Sequence, residues 1–190
     1  SGTSIASGRT LFVDNRGPIG AVTMSPFPPL KAGGADLALI LDEPAVSTPA
    51  LTFVIAGTTY PVALEGAGAT WVATITVPSA NGTEVFRYAA TDALGNAGTT
   101  LPSGGSFAID ATPPGAPLSL SAVSRPAGVV RLSWSGPIGE PAAAYRVYRD
   151  SVALPGTVAP AGDLTGRFDD APAEGVHTYQ TSALDLAGNE

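Results

Sequence analysis

Cysteine is missing from this chain, histidine and lysine occur once each (His177, Lys31), and charged residues make up only 13% of its 190 residues. Without cysteine there is no disulfide framework and no thiolate zinc site. With a single imidazole, the usual nucleophile–base arrangements have one residue to rest on. Positive charge is also short: the net charge is −7. A nucleic-acid partner needs a basic footprint that this balance does not supply, whereas a cation suits it. No apolar run approaches the ~18 residues of a membrane span, so membrane insertion is not expected. The opening SGTSIASG has no leader pattern and reads as a mature or excised segment.

What is present is apolar content of 44%, with 23 Gly and 18 Pro. That is enough to build real cores in a turn-rich chain. Long stripes of period 3.6 are lacking, and alternation of period two recurs throughout. ADLALILD (35–42) puts Leu37, Leu39 and Leu41 on one face, and LTFVIAGTTY (51–60) does so with Leu51, Phe53 and Ile55. WVATITV (71–77) and VFRYAATD (85–92) follow, with the hairpin-turn pair Asn81-Gly82 between them. In the second half, VVRLSWSG (129–136), YRVYRD (145–150) and HTYQTSALD (177–185) repeat the style. Short strands between turn signals predict an all-β sandwich. The proline-rich DATPPGAP (110–117) cannot continue a central strand and reads as a stiff linker.

Two resemblances follow from these segments. Residues 112–190, with PLSLSAV, VVRLSWSG, AYRVYRD and HTYQTSALDLAGNE, resemble a fibronectin type III domain. The resemblance implies that Trp134 and Tyr179 are core residues of strands B and F. Residues 18–111, with LALILDEPA, WVATITV, YAATDALGNAG and FAIDATPP, resemble the bacterial immunoglobulin-like domains of long surface proteins. Two tandem sandwiches are therefore expected, preceded by an extra strand and linker over residues 1–17.

An internal repeat adds to this. SGRTLFVDNRGP (7–18) aligns with SGGSFAIDATPP (103–114), about 96 residues further on. The later copy reads as strand G of the first domain plus its linker. After DALGN (92–96) the first domain continues to that strand; after DLAGN (185–189) only Glu190 follows, so the second sandwich is expected to lack its own strand G. One reading is a segment cut from a tandem array. The other is β-strand addition: Leu11, Phe12 and Val13 of one chain fill the open edge of the next, head to tail, as a homopolymer.

Candidate chemistry gathers at one pole of each sandwich. In the first domain it comprises Asp14 in the linker, Asp42 and Glu43 after strand B, and Asp92 and Asn96 in the F–G loop. In the second it comprises Asp110, Glu140, Asp185 and Asn189. Several carboxylates and an amide carbonyl around one point suit Ca²⁺. Asp-x-x-Gly-Asn is also a good turn on its own. The remaining candidates have plainer readings: His177 as structural, Lys31 as solvated rather than an isopeptide donor, Trp71 and Trp134 as core. Asp169-Asp170 is read as a loop pair without the cleft a glycosidase needs. Tyr60, Tyr145 and Tyr148 could line a sugar-binding face or simply pack.

The expected function is non-enzymatic: a subunit or repeat unit of an extracellular bacterial surface filament, stalk or adhesin. Its partners would be itself and a host or matrix surface ligand. The alternative is an accessory carbohydrate-binding or spacer module of a secreted polysaccharide-degrading enzyme.

Overall fold

A computed structural model describes residues 13–190. Among them there is no α-helix, and no helix is long and apolar enough to cross a membrane. The strands are β1 (Gly20–Ser25), β2 (Gly33–Leu41), β3 (Ala50–Ile55), β4 (Thr58–Pro61), β5 (Glu65–Ala67), β6 (Thr70–Val77), β7 (Gly82–Thr91), β8 (Ala97–Gly98) and β9 (Ser106–Ile109). They continue with β10 (Leu118–Arg125), β11 (Val129–Ser135), β12 (Ala144–Arg149), β13 (Val152–Ala153), β14 (Gly166–Asp170) and β15 (Tyr179–Leu184). The sheet orders are β1-β2-β6-β5, β4-β3-β7-β8 with β9 also on β7, β10-β11-β14, and β13-β12-β15. The protein is thus all-β, in several antiparallel sheets of sandwich-like rather than barrel character.

The chain divides into two compact units. One takes the described residues up to Met24 with Asp36–Ile75 and Val85–Ser106; the other takes Ser25–Ala35, Thr76–Glu84 and Phe107–Glu190. In the first unit the period-two pattern sorts side chains as expected. Leu37, Leu39 and Leu41 of β2, Leu51, Phe53 and Ile55 of β3, Trp71, Ala73 and Ile75 of β6, and Phe86, Tyr88 and Ala90 of β7 are buried. Their neighbours in sequence mostly face water. Phe53 stacks on Tyr60 at 5.2 Å and meets Phe86 edge-on at 5.9 Å. Trp71 and Tyr88 bury their rings but keep partners, donating to the Gly68 and Pro18 carbonyls.

The core of the second unit includes Leu132, Trp134, Ala142, Tyr145, Val147 and Ala183. Trp134 and Tyr145 meet edge-on at 5.4 Å. Fully burying one such side chain is worth roughly 1.5–3 kcal/mol. Asp170 of β14 joins the two sheets of this unit, accepting from Arg149 of β12 at 2.8 Å and from the Tyr179 hydroxyl of β15 at 2.7 Å.

Three sequence expectations need correction. Residues 51–60 are not one strand but the hairpin β3–β4, closed by Ala56 and Gly57 at φ +48° and +83°. Asn81-Gly82 is not a hairpin turn, because β6 and β7 belong to different sheets. The Asn81 side chain is committed elsewhere: its oxygen accepts from Ala111 N–H and its amide donates to the Thr112 hydroxyl. Asp169-Asp170 lies in β14 rather than in a loop, and Arg131 and Arg149 take both carboxylates.

Candidate functional site

The loop between β7 and β8 is organised by one carboxylate. Asp92 Oδ1 accepts the backbone N–H of Leu94 and of Asn96, each at 2.8 Å, and Oδ2 accepts the Asn96 side-chain amide at 2.7 Å. Backbone bonds Asp92 N to Asn96 O and Gly95 N to Asp92 O close the turn. This is the Asx geometry the sequence suggests. The same Asn96 amide also reaches the backbone carbonyl of Asp14 at 3.3 Å, tying the entering linker to the loop. Asp14 makes its own Asx turn, accepting Arg16 N–H. The linker then passes so close to β8 that a Cβ on Gly17 would lie 2.2 Å from the Ala97 carbonyl carbon, and one on Gly98 would lie 2.0 Å from the Pro18 oxygen. Only glycine fits at either place.

The loop after β15 repeats this. Asp185 Oδ1 accepts Asn189 N–H at 2.9 Å and Oδ2 accepts the Asn189 amide at 2.7 Å. Asn189 in turn donates to the Asp110 carbonyl at 2.8 Å, and Asp110 accepts Thr112 N–H in an Asx turn. The backbone closure of the loop is the same.

Each loop completes a carboxylate triplet. Asp14, Glu43 and Asp92 bring one oxygen each to within 4.8 Å of one another, and so do Asp110, Glu140 and Asp185. Glu43 and Glu140 arrive from the loops after β2 and β11, each just before a proline. Oxygens spaced this way can lie around a cation bound at about 2.4 Å. Partial burial, then the charges of Asp14, Asp92 and Asp42, push the Glu43 carboxyl up. Burial, then Asp110 and Asp185, push Glu140 up. Asp92 goes the other way: burial would raise it, but the Asn96 side chain and the loop amides hold it below the ordinary aspartate value. Among the described residues none of the six carboxylates has an arginine or lysine ion pair. The cluster can therefore shed its repulsion by taking a cation or a proton.

Other sequence candidates fall outside this geometry. Asp42 accepts Ile19 N–H at 2.7 Å, and is not one of the triplet. Asn96 and Asn189 aim their NH₂ groups at the aspartates, acting as clamps rather than carbonyl ligands. Leu11 and Phe12 lie outside the described residues; Val13 is 75% exposed and outside any strand. Trp71, Trp134 and Tyr145 are core, and Tyr60 is stacked on Phe53. The Tyr148 hydroxyl donates to Glu190. Both ring nitrogens of His177 face acceptors, Asp150 Oδ2 at 2.7 Å and the Ala173 carbonyl at 2.9 Å, which suits the protonated ring and raises its pKa.

Sequence reading missed three ties. Lys31 donates to the Gly188 carbonyl at 3.0 Å, in the very loop Asp185 organises. Asn81 holds the start of the 110–117 linker. Glu190 takes Arg146, Tyr148 and Ser182 together. Only Lys31 carried any signal, as the sole lysine.

No protein-family model matches the chain, and no curated protein does. Among solved structures, one titled "Cytokine receptor complex - Crystal form 2" is similar at 16% identity, over 84% of this chain and 86% of that chain, with a TM-score of 0.30. So low a score carries no argument about partners or activity.

Proposed function

We propose that this chain is a non-enzymatic structural module of an extracellular surface fibre, stalk or adhesin of the bacterial kind its sequence resembles. In this reading it comprises two tandem β-sandwiches, immunoglobulin-like and then fibronectin type III-like in sequence order. The supporting observation is the duplicated lock. At both linkers an Asx-turn aspartate gives its carbonyl to the asparagine of an Asp-x-x-Gly-Asn loop, beside a third carboxylate. A site for chemistry on a substrate has no need of two copies at two linkers; a chain of repeated modules needs one at each. Ca²⁺ is the cofactor this reading names, held by Asp14, Glu43 and Asp92 and by Asp110, Glu140 and Asp185.

The test is a genetic fusion of three copies viewed by electron microscopy. Unbranched rods whose length scales with copy number are expected. Coiled or clumped particles would overturn the reading, and retention on insoluble polysaccharide would favour an accessory module of a degradative enzyme.

A further inference from the structure

We propose that the outer face of the β10-β11-β14 sheet carries a binding groove for a carboxylated sugar, centred on Arg167 and the hydroxyls of Ser119, Ser133 and Ser135. The site goes beyond the module reading and stands apart from it. The alternation of β11 sets its place. Leu132 and Trp134 turn inward and are buried, so Ser133 and Ser135 turn outward and are exposed. Across to β14, Ser133 pairs with Arg167 and Arg131 with Asp169, so these four side chains share the outward face.

The groove holds about 340 Å³, with the three serines, Thr165 and Arg167 on its walls and the buried residues Trp134 and Gly166 behind them. That volume is at the lower end of the roughly 300–1,000 Å³ of small-ligand sites. Two features build it. β10 carries a bulge, since its register with β11 slips between Leu118 and Ser121, and Ser119 within it sits at φ +57°. Gly166 is packed so tightly that a Cβ there would lie 2.0 Å from Trp134 Cε2. The indole thus fixes the wall of the groove from the core side.

Charge is the second line of argument. Arg125 of β10 shares the face by alternation with Val123, which pairs with Arg131. The bond to Arg131, and then the charges of Arg131, Arg167 and Arg125, hold the Asp169 carboxyl below its ordinary value. Three arginines thus meet two aspartates, Asp169 and, at the rim, Asp163, so the face is net positive in a chain whose net charge is −7. Among the described residues Arg131 is spent on Asp169 and the Thr165 hydroxyl on Asp163, while the side chains of Arg167, Ser119, Ser133 and Ser135 have no hydrogen bond or ion pair.

The free groups name the ligand class. A guanidinium fork matches a carboxylate with two parallel hydrogen bonds. Serine hydroxyls both donate and accept, as the hydroxyls of a sugar ring require. A neutral sugar would leave Arg167 without a counter-charge, and a bare inorganic anion would leave the serines without partners. A carboxylated sugar answers both, and the open sheet face admits it free or as one residue of an anionic polysaccharide.

The experiment is calorimetric titration of the full chain, at fixed salt, with polygalacturonate, with galacturonate monomer and with neutral dextran. Polygalacturonate should bind saturably and dextran should not. Monomer binding would place recognition on a single sugar, and binding of the polymer alone would place it on a run of them; either upholds the groove. Arg167→Gln should weaken binding at least ~10-fold, a charge-assisted contact being lost. Ser133→Trp keeps every charge but fills the groove, and should abolish binding, with near-UV circular dichroism checking the fold. Arg87→Gln, which removes an exposed arginine of β7, should change nothing. Amide shifts on titration should centre on residues 119, 133–135 and 165–167. Failure of both uronate probes to bind the unmodified chain would overturn the site. So would equal losses from Arg87→Gln and Arg167→Gln, or binding that survives Ser133→Trp in a folded variant. Rods from the three-copy fusion bear on the module reading alone, so the two can fail separately.

Discussion

β7 and β15 carry the same loop and have different surroundings. Both end in Asp-x-x-Gly-Asn, and both loops close with the same bonds to the same kinds of atom. Yet β7 has strands on both edges and a buried inward face, while among the described residues β15 pairs with β12 alone and has two half-buried inward residues. The loop is therefore self-sufficient, built from residues four apart at most plus one linker carbonyl. The closure of the core beside β7 is not, because it depends on β9, which comes from further along the sequence.

The contrast can be broken from the covered side. Phe107→Ala should strip β9 of its main anchor and cost about 3–5 kcal/mol in urea unfolding. The variant should then bind a hydrophobic dye more strongly than the unmodified chain. Next in size is calcium. At a hundredfold excess over its dissociation constant it should add about 2.7 kcal/mol of stability, seen as a raised melting temperature. Glu43→Gln and Glu140→Gln together should remove that gain, and a chelator should reverse it. A chain whose melting ignores calcium would leave the triplets as turns alone.

pH should expose the same pair of sites. The folded state holds the Glu43 and Glu140 protons to higher pH than the ordinary glutamate value of 4.5. Stability should fall as pH rises through the window just above that value, and the two glutamine variants should flatten the fall. Asp92 works oppositely: it is held below 3.8, so stability rises as pH climbs toward that value from below. His177 adds a third limb. Its contribution is complete below about 6.5 and fades as pH rises through its elevated folded value, a slope His177→Gln should remove. The smallest effect belongs to Lys31→Met, which removes one hydrogen bond to the downstream loop. It should cost at most about 1 kcal/mol, yet it should speed amide exchange in residues 185–189 and leave 92–96 untouched.

Much of this is legible in the chain itself. Alternation locates the buried residues of β2, β3, β6 and β7, since a strand's faces are set by a period of two, but not Val22, Leu30, Val62 or Leu64. The two carboxylate groups are legible too, because linker, B–C loop and F–G loop share a pole in such folds. What alternation cannot report is which sheet a strand joins, so Asn81-Gly82 looks like a hairpin when it bridges two sheets. Nor does it show a side chain's partner. Asp169 and Asp170 resemble a free acidic pair until Arg131 and Arg149 are seen on them. Asn96 and Asn189 have the look of ligands, but the atom each turns toward its aspartate is a donor.

The asparagine clamp has a consequence for a chain under tension. A pull on the residues before Pro18 arrives first at the Asp14 carbonyl, and from there passes through the Asn96 amide to Asp92 at the end of β7. The force is thus divided between the covalent path into β1 and this hydrogen-bonded path into β7. Asn189 offers the same route into β15 from the Asp110 linker.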